Sequence, residues 1–231
     1  MEDKYMSNVQ MKVSDMYEPG HTLAWPWLSK VTYPWEILPS IKSIILEIGA
    51  SLDTEKYDHP EEGVWIAKSA KVFPSAYIGA PCIIGENTEV RHCAFIRGSA
   101  LIGDGCVVGN SVELKNVIIS DGVQVPHYNY VGDSVLGYKS HMGAGSLTSN
   151  VKSDKTLVVV KSRGESIETG LKKFGAMLGD FVEVGCNSVL NPGTVIGCHS
   201  NIYPTSSVRG VIPSYSIFKS GKGIEIVDKK E

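Results

Sequence analysis

The chain has 231 residues, a formal net charge of −3 and 20% charged residues, enough for one sizeable core with an appendage. A weakly acidic balance offers no bulk positive field for nucleic acid or an anionic membrane, and no apolar run is long enough to span a bilayer. The opening MEDKYMSNVQ is polar and acidic, unlike a signal peptide. The five cysteines form no CxxC pair, so a reducing, cytoplasmic setting is expected.

Residues 1–62 read as an N-terminal extension. The first 32 are irregular, with Trp25 and Trp27 around Pro26. Tyr33-Pro34-Trp35-Glu36 then opens a predicted helix over roughly 34–50, in which Ile41, Ile44, Ile45, Ile48 and Leu52 keep helical spacing and Gly49 weakens the end. A solenoid needs its end covered, and the helix is expected to cap the first coil. Residues 53–63 are charged and turn-like, a short linker.

From Ile66 an aliphatic residue returns every sixth position: Ile66, Val72, Ile78, Ile84, Val90, Ile96, Ile102, Val108 and Leu114. Residues such as Ala70, Ala76, Cys82, Ala94, Ala100 and Cys106 follow four places on, and glycine often comes directly after the aliphatic residue, as in Ile78-Gly79 and Ile84-Gly85. Neither a helix nor plain alternation has this period; a short strand plus a turn does. Each coil would have three short flat sides and would bury its aliphatic row only by stacking on the next. Cys82 and Cys106 fall at inward positions and read as small hydrophobes.

After Leu114 the step falls to five residues, to Ile119, and again before Leu136. Coils here are about one residue short of eighteen, a departure from regularity of the kind that marks functional sites. Residues 150–175 break the repeat, with a strand expected over Thr156–Val160 and a turn over Lys161–Glu165. The repeat resumes at Leu178, Val184, Leu190, Ile196, Ile202 and Val208, which sets the solenoid at 63–212 and a polar tail at 213–231.

Arg97 and Lys115 take the position after the aliphatic residue that glycine or alanine usually holds, one full coil apart. Two stacked cations repel unless something anionic lies between them, which points to a phosphate or sugar-phosphate site; solvated surface cations are the alternative. His127 follows Val125-Pro126 in the irregular coil, where an imidazole can serve as a general base or simply sit at the surface. Glu113 is either an orienting partner for a histidine or an exposed carboxylate.

The motifs from Arg97 to Asn150 are specific: GN-x-VE-x-K, then H-x-x-Y-x-GD, then GAG-[ST]-x-T-x-N. They resemble the C-terminal acetyltransferase domain of the bacterial bifunctional enzyme that makes UDP-N-acetylglucosamine. Region 33–209, with KKFGAMLGD, is also similar to the helix and β-helix part of archaeal sugar-1-phosphate nucleotidyltransferase/acetyltransferases. The resemblance implies an all-β solenoid, a left-handed parallel β-helix of hexapeptide repeats with an N-terminal helical cap. It implies a homotrimer with sites between subunits.

It also implies an acyl-CoA-dependent N-acetyltransferase acting on an amino-sugar 1-phosphate, with acetyl-CoA as co-substrate and no metal required. His127 matches the catalytic histidine and Arg97 and Lys115 the sugar-phosphate ligands. Tyr130 and Asn150 match residues that hold the sugar, and His141 stands where the family has an asparagine near the amine. Ala144 falls where the family's backbone meets the thioester, and Cys186 and Pro204 fall at other coenzyme-contacting positions. Val151 stands for a family tyrosine, and a lysine further on has no clear counterpart. The nucleotidyltransferase domain of those relatives opens on a glycine-rich phosphate loop; the first sixty residues here carry none and are too few to build that domain.

A rival is a non-catalytic sugar-phosphate-binding protein, or a subunit that partners a separate nucleotidyltransferase. Another is a zinc protein with three histidines between subunits, to which the six histidines offer only His127 and His141 close in coil order. In the loop, Lys161, Arg163, Lys172 and Lys173 are candidates for the phosphates of CoA, with a solvated hairpin as the alternative.

Overall fold

The computed structural model describes residues 11–162, 164–220 and 224–228. Its body is a left-handed parallel β-helix of hexapeptide coils with three flat faces. The first face stacks Lys71–Val72, Glu89–Val90, Val107–Asn110, Gln124–His127, His141–Met142, Glu183–Val184, Asn201–Ile202 and Ser216–Ser220. On the second lie Tyr77–Ile78, Phe95–Ile96, the starts of Glu113–Ile119 and Tyr130–Leu136, then Leu147–Thr148, Val189–Leu190 and Ser207–Val208. The third stacks Val64–Ala67, Cys82–Ile84, Ala100–Ile102, the ends of the two long strands, Ala176–Leu178, Thr194–Ile196 and Val211–Ile212.

The sixfold aliphatic row is the core, with Ile84, Val90, Ile96, Ile102, Val108 and Leu114 all fully buried. Cys82 and Cys106 are buried in it; burial pushes both thiols up, Cys106 to about 12. Where glycine follows the core residue, the next coil's backbone presses close. A Cβ on Gly109 would lie 1.6 Å from the carbonyl oxygen of Pro126, which no side chain can do.

The third face is apolar on its outer side as well. Ile83, Leu101, Ile118, Val135, Met177 and Val195 point away from the core and are buried in a second cluster with the N-terminal extension and the 150–175 loop. The predicted helix is a 3₁₀ segment, Pro34–Ser40, running into an α-helix, Ile41–Gly49. Its buried residues Ile41, Ile44, Ile45 and Ile48 meet that row, so the cap lies along the flank of the coils rather than squarely across their open end. Further back the extension is strapped to later coils. Met16 O accepts from Asp180 N–H, His21 O accepts from Asp121 N–H, and the His21 ring stacks on Tyr138 at 3.6 Å. At the N-terminal end Tyr57–Glu61 pairs antiparallel with Val64–Ala67 and extends the third face, while Ile66, Val72 and Ile78 of the first coil are only partly buried.

The loop at 150–175 enters at the corner between the second and third faces. Its hairpin pairs Val159–Ser162 with Glu165–Glu168, slightly later than expected from sequence. Val158, Val160 and Phe174 anchor it against the extension and the third face. The solenoid runs past residue 212: Ser216–Ser220 pairs with Asn201–Ile202 and is itself paired antiparallel with Ile224–Asp228.

Candidate active site

The shortening of the coils is located at one corner. Phe95 and Ile96 pair with Glu113 and Leu114, whereas Ala100 pairs with Val117. The two-residue corner Gly98-Ser99 is therefore replaced in the next coil by Asn116 alone, with φ 53°. Below it Asp133 turns the same corner with φ 50°. Asn and Asp are the non-glycine residues that best tolerate this left-handed geometry. Asn150 follows one coil on, where the loop departs.

Arg97 and Lys115 do stack in adjacent coils, Arg97 N–H donating to Leu114 O at 2.9 Å. The anionic partners that relieve their repulsion are the protein's own. Arg97 Nη1 donates to Glu113 Oε1 at 2.8 Å, which gives Glu113 the role of a cation partner rather than of a histidine's orienter. The hydrogen bond from Arg97 to this carboxylate pushes the guanidinium's pKa up. Lys115 Nζ lies 3.2 Å from Asp133 Oδ2. Asp133 is nearly inaccessible and also accepts from Asn116 Nδ2 at 3.0 Å and from Asn150 Nδ2. Asn116 Nδ2 reaches Leu38 O at 3.3 Å as well, which ties the corner to the extension.

Tyr130 pairs in register with Glu113, and Gly132 with Lys115. The phenol folds back over Gly132, where a Cβ would lie 2.4 Å from its oxygen. Burial first, then the carboxylates of Asp133 and Glu113, raise the phenol pKa, while a hydrogen bond with Asn150 opposes them. Arg97, Lys115, Tyr130 and Asn150 thus form one cluster, knitted by Glu113 and Asp133. The sequence reading gave Asp133 no role, although it is the last residue of the H-x-x-Y-x-GD motif.

A second group lies along the corner between the first and second faces. Gly145 N–H donates to His127 O at 3.0 Å, Asn187 N–H to Ala144 O at 2.9 Å, and Thr205 N–H to Cys186 O at 2.8 Å. Those bonds put His127, Ala144, Cys186 and Pro204 in a single column, at roughly 4.8 Å per coil. His127, Cys186 and Pro204 are exposed. Buried Asn129 fixes the histidine's backbone: its Oδ1 accepts from His127 N–H at 3.1 Å while its Nδ2 donates to Gly143 O and Ser146 O.

The column and the cluster flank the same flat face, with Tyr130 between them. From His127 to Gly132, the neighbour of Lys115, the chain spans at most roughly 17 Å when fully extended. His141 belongs to neither group. It stands on the first face, its Nδ1 2.8 Å from Glu183 Oε2, beside an open cavity of about 470 Å³ that Gln124 and Lys139 also line. Among the described residues no group of three or more His, Cys, Asp or Glu is placed to hold a metal ion, and no helix is long and apolar enough to cross a membrane.

Residues 81–202, just over half of the chain, match the family model of the GMPPB C-terminal domain. The chain belongs to that family. It is 37% identical over 106 residues to a bifunctional sugar-1-phosphate nucleotidylyltransferase/acetyltransferase of Sulfurisphaera tokodaii, covering 46% of this chain and 26% of that protein. With the bifunctional protein GlmU of Methanococcus maripaludis it shares 31% over 129 residues, 56% of this chain and 27% of that one. The chain spans about a quarter of the length of these relatives. Among solved structures, a hexapeptide transferase family protein from Anaplasma phagocytophilum aligns with a TM-score of 0.42 at 16% identity, over 74% of this chain and 82% of that one. The acetyltransferase domain of PglB from Neisseria gonorrhoeae, in complex with acetyl coenzyme A, aligns with a TM-score of 0.33 at 15% identity, over 83% and 67%.

Proposed function

We propose that this family member transfers an acyl group, acetyl from acetyl-CoA in the first instance, to the amine of an amino-sugar 1-phosphate. The observation that carries the reading is the flat face bordered on one side by the His127–Ala144–Cys186–Pro204 column and on the other by the Arg97–Lys115 cluster, with Tyr130 between. An elongated thioester suits a straight column of exposed positions, and a phosphorylated sugar suits a pair of cations flanked by hydrogen-bonding side chains. The named activities of the relatives support both halves.

In the proposed step the amine nitrogen attacks the thioester carbonyl carbon and loses its proton to His127. The oxyanion that develops is held by the backbone N–H of Ala144. It collapses with cleavage of the C–S bond, and the CoA thiolate leaves and takes up a proton. Arg97 and Lys115 exchange their carboxylate partners in part for the sugar's phosphate and fix the amine's approach. No step needs a metal. His141, on the other face, is outside this step. The expected homotrimer and the cytoplasmic setting belong to the same proposal. The extension and the 150–175 loop cover the third face, which leaves the two faces that border the site for a neighbouring copy.

The test is release of free CoA thiol from acetyl-CoA with a panel of amino-sugar 1-phosphates, each paired with the sugar phosphate that carries hydroxyl for amine. Turnover confined to the amines is expected; no turnover with any of them would remove the reading. A second reading has its own observation. Because Arg97 and Lys115 are already bonded to Glu113 and Asp133, the cluster is also complete as a structural device, as in a non-catalytic module or a subunit of a separate nucleotidyltransferase. Sugar-phosphate binding without turnover would favour it.

A further inference from the structure

The loop at 150–175 does more than decorate the solenoid. Where its hairpin lies against the last coils it encloses a cavity of about 220 Å³, lined by Lys152, Lys161 and Arg209 together with Val159, Gly193 and Gly210. Three cationic residues line it and no carboxylate does. Arg209 Nη2 is held at 3.2 Å by the neutral Asn191 Oδ1, which aims the guanidinium without cancelling its charge. Lys152 is the only one of the three with a carboxylate within ion-pairing distance among the described residues, Asp154 at 3.3 Å. Of the loop cations singled out from sequence, Lys161 alone reaches the cavity. Lys172 and Lys173 are exposed elsewhere, and Arg163 lies outside the described residues.

The walls are set by backbone. Gly193 and Gly210 have φ of 82° and 81°, and the hairpin presses on both. A Cβ on Gly210 would lie 2.7 Å from Lys161 O, and one on Gly193 2.8 Å from Val158 Cγ1. The cations are therefore presented by a packed junction, not by a free loop. The junction is separate from the Arg97–Lys115 cluster. Gly132, Ser149 and Asn191 intervene between Lys115 and Arg209 in the same outward row, so four coils at about 4.8 Å separate them by roughly 19 Å.

We propose that this junction is a second anion site, which takes a phosphoryl or diphosphoryl group of a phosphorylated ligand. Like charges held together at a partly enclosed surface repel one another, and a multivalent anion removes the repulsion while accepting several charge-assisted hydrogen bonds. The shared chemistry has two sources, the phosphates of a coenzyme such as CoA and the diphosphate of a nucleotide. The site does not depend on acyl transfer.

The experiment is calorimetric titration of the full chain with inorganic pyrophosphate at low and high salt. Wild type is expected to bind, more weakly at high salt. Arg209→Gln and Lys161→Gln should each weaken binding about ten-fold or more while their ligand-free melting temperatures stay at the wild-type value. Lys172→Gln, at an exposed loop lysine that does not line the cavity, should bind like wild type. No binding, binding indifferent to Arg209 and Lys161, or binding weakened as much in Lys172→Gln would overturn the proposal. Competition then separates the sources. Displacement by CoA but not by 3′-dephospho-CoA assigns the site to the coenzyme's 3′-phosphate, and displacement by a nucleoside diphosphate assigns it to a nucleotide. Displacement by neither would reduce it to inorganic ion binding and overturn the ligand assignment.

Discussion

Replacing Asp133 by asparagine removes one negative charge from the centre of the polar cluster and changes almost nothing else. Asparagine keeps the shape and tolerates the left-handed corner that Asp133 occupies at φ 50°. What is lost is the carboxylate that receives Lys115, Asn116 and Asn150. Breaking a fully buried ion pair costs about 3–5 kcal/mol, and an exposed one about 0–1. The Asp133 side chain is 5% exposed and that of Lys115 23%, so the lysine can be partly rehydrated and the cost falls between, at about 2 kcal/mol. For a domain of this size that lowers the melting temperature by roughly 4–8 °C. The pairwise term is isolated by a double-mutant cycle with Lys115→Met, which keeps the aliphatic stem and removes the charge. Urea unfolding of the four proteins should give a coupling energy of about 1–2 kcal/mol. Additivity within about 0.3 kcal/mol would show that the pair behaves as a solvated surface contact, and the reasoning about the corner would fail.

Three further outcomes are expected. Arg97→Ala and Lys115→Ala should each weaken sugar-phosphate binding by about 1.5–3 kcal/mol and leave acyl-CoA binding nearly unchanged, as read by calorimetry with each ligand; unchanged sugar-phosphate affinity in both would return them to the solvated surface. Gly132→Ala places a Cβ against the Tyr130 phenol, whose flexible end can swing away, so stability should hold within about 1 kcal/mol while sugar-phosphate affinity drops about three- to ten-fold; an equal loss of both would contradict a positioning role for Tyr130. Asp180 accepts from Glu18 N–H and Tyr138 N–H, each at 2.7 Å, yet burial outweighs those bonds and raises its pKa. A folded-state pKa above the unfolded one means that proton uptake favours the fold, so this contribution is full below the unfolded value near 4 and is lost as pH rises through the folded value. Relative to Asp180→Asn, wild type should gain stability as pH falls from 7 toward 4; a difference independent of pH would count against it.

The solenoid was legible because its core row has a period of its own. Ile66 through Leu114 announce the coils, and the five-residue steps around Ile119 and Leu136 point to the corner where Asn116 and Asp133 turn. The flanking position of the helix was not read, although a signal existed. On the third face the strands run Cys82-Ile83-Ile84, Ala100-Leu101-Ile102 and Val117-Ile118-Ile119, continuous apolar triplets of the kind expected for a strand buried on both sides. That second row, Ile83 to Val195, needed a partner, and the extension was the only unassigned stretch before it.

At the site, spacing alone stacked Arg97 on Lys115. It could not show that Glu113 and Asp133 neutralise them, because one partner lies in the adjacent coil and the other turns a corner. Family motifs singled out His127, Ala144, Cys186 and Pro204 separately; their alignment in one column follows from coil lengths that change at the loop. His141, chosen for its motif position, lies on a different face from Tyr130 and Asn150. The Lys152–Lys161–Arg209 junction was illegible in sequence, since Arg209 and the loop meet only through the fold.

The central claim is that His127 is the base of an acyl transfer carried out on this face. It is tested most directly by comparing CoA release by wild type and His127→Ala at saturating acetyl-CoA and saturating amino-sugar 1-phosphate, with calorimetry to establish that both still bind the sugar phosphate. A positioned base contributes roughly 10²–10⁴-fold, so the variant should lose turnover by that factor and keep its sugar-phosphate affinity, because the Arg97–Lys115 cluster is untouched. A variant that turns over at the wild-type rate would contradict the account.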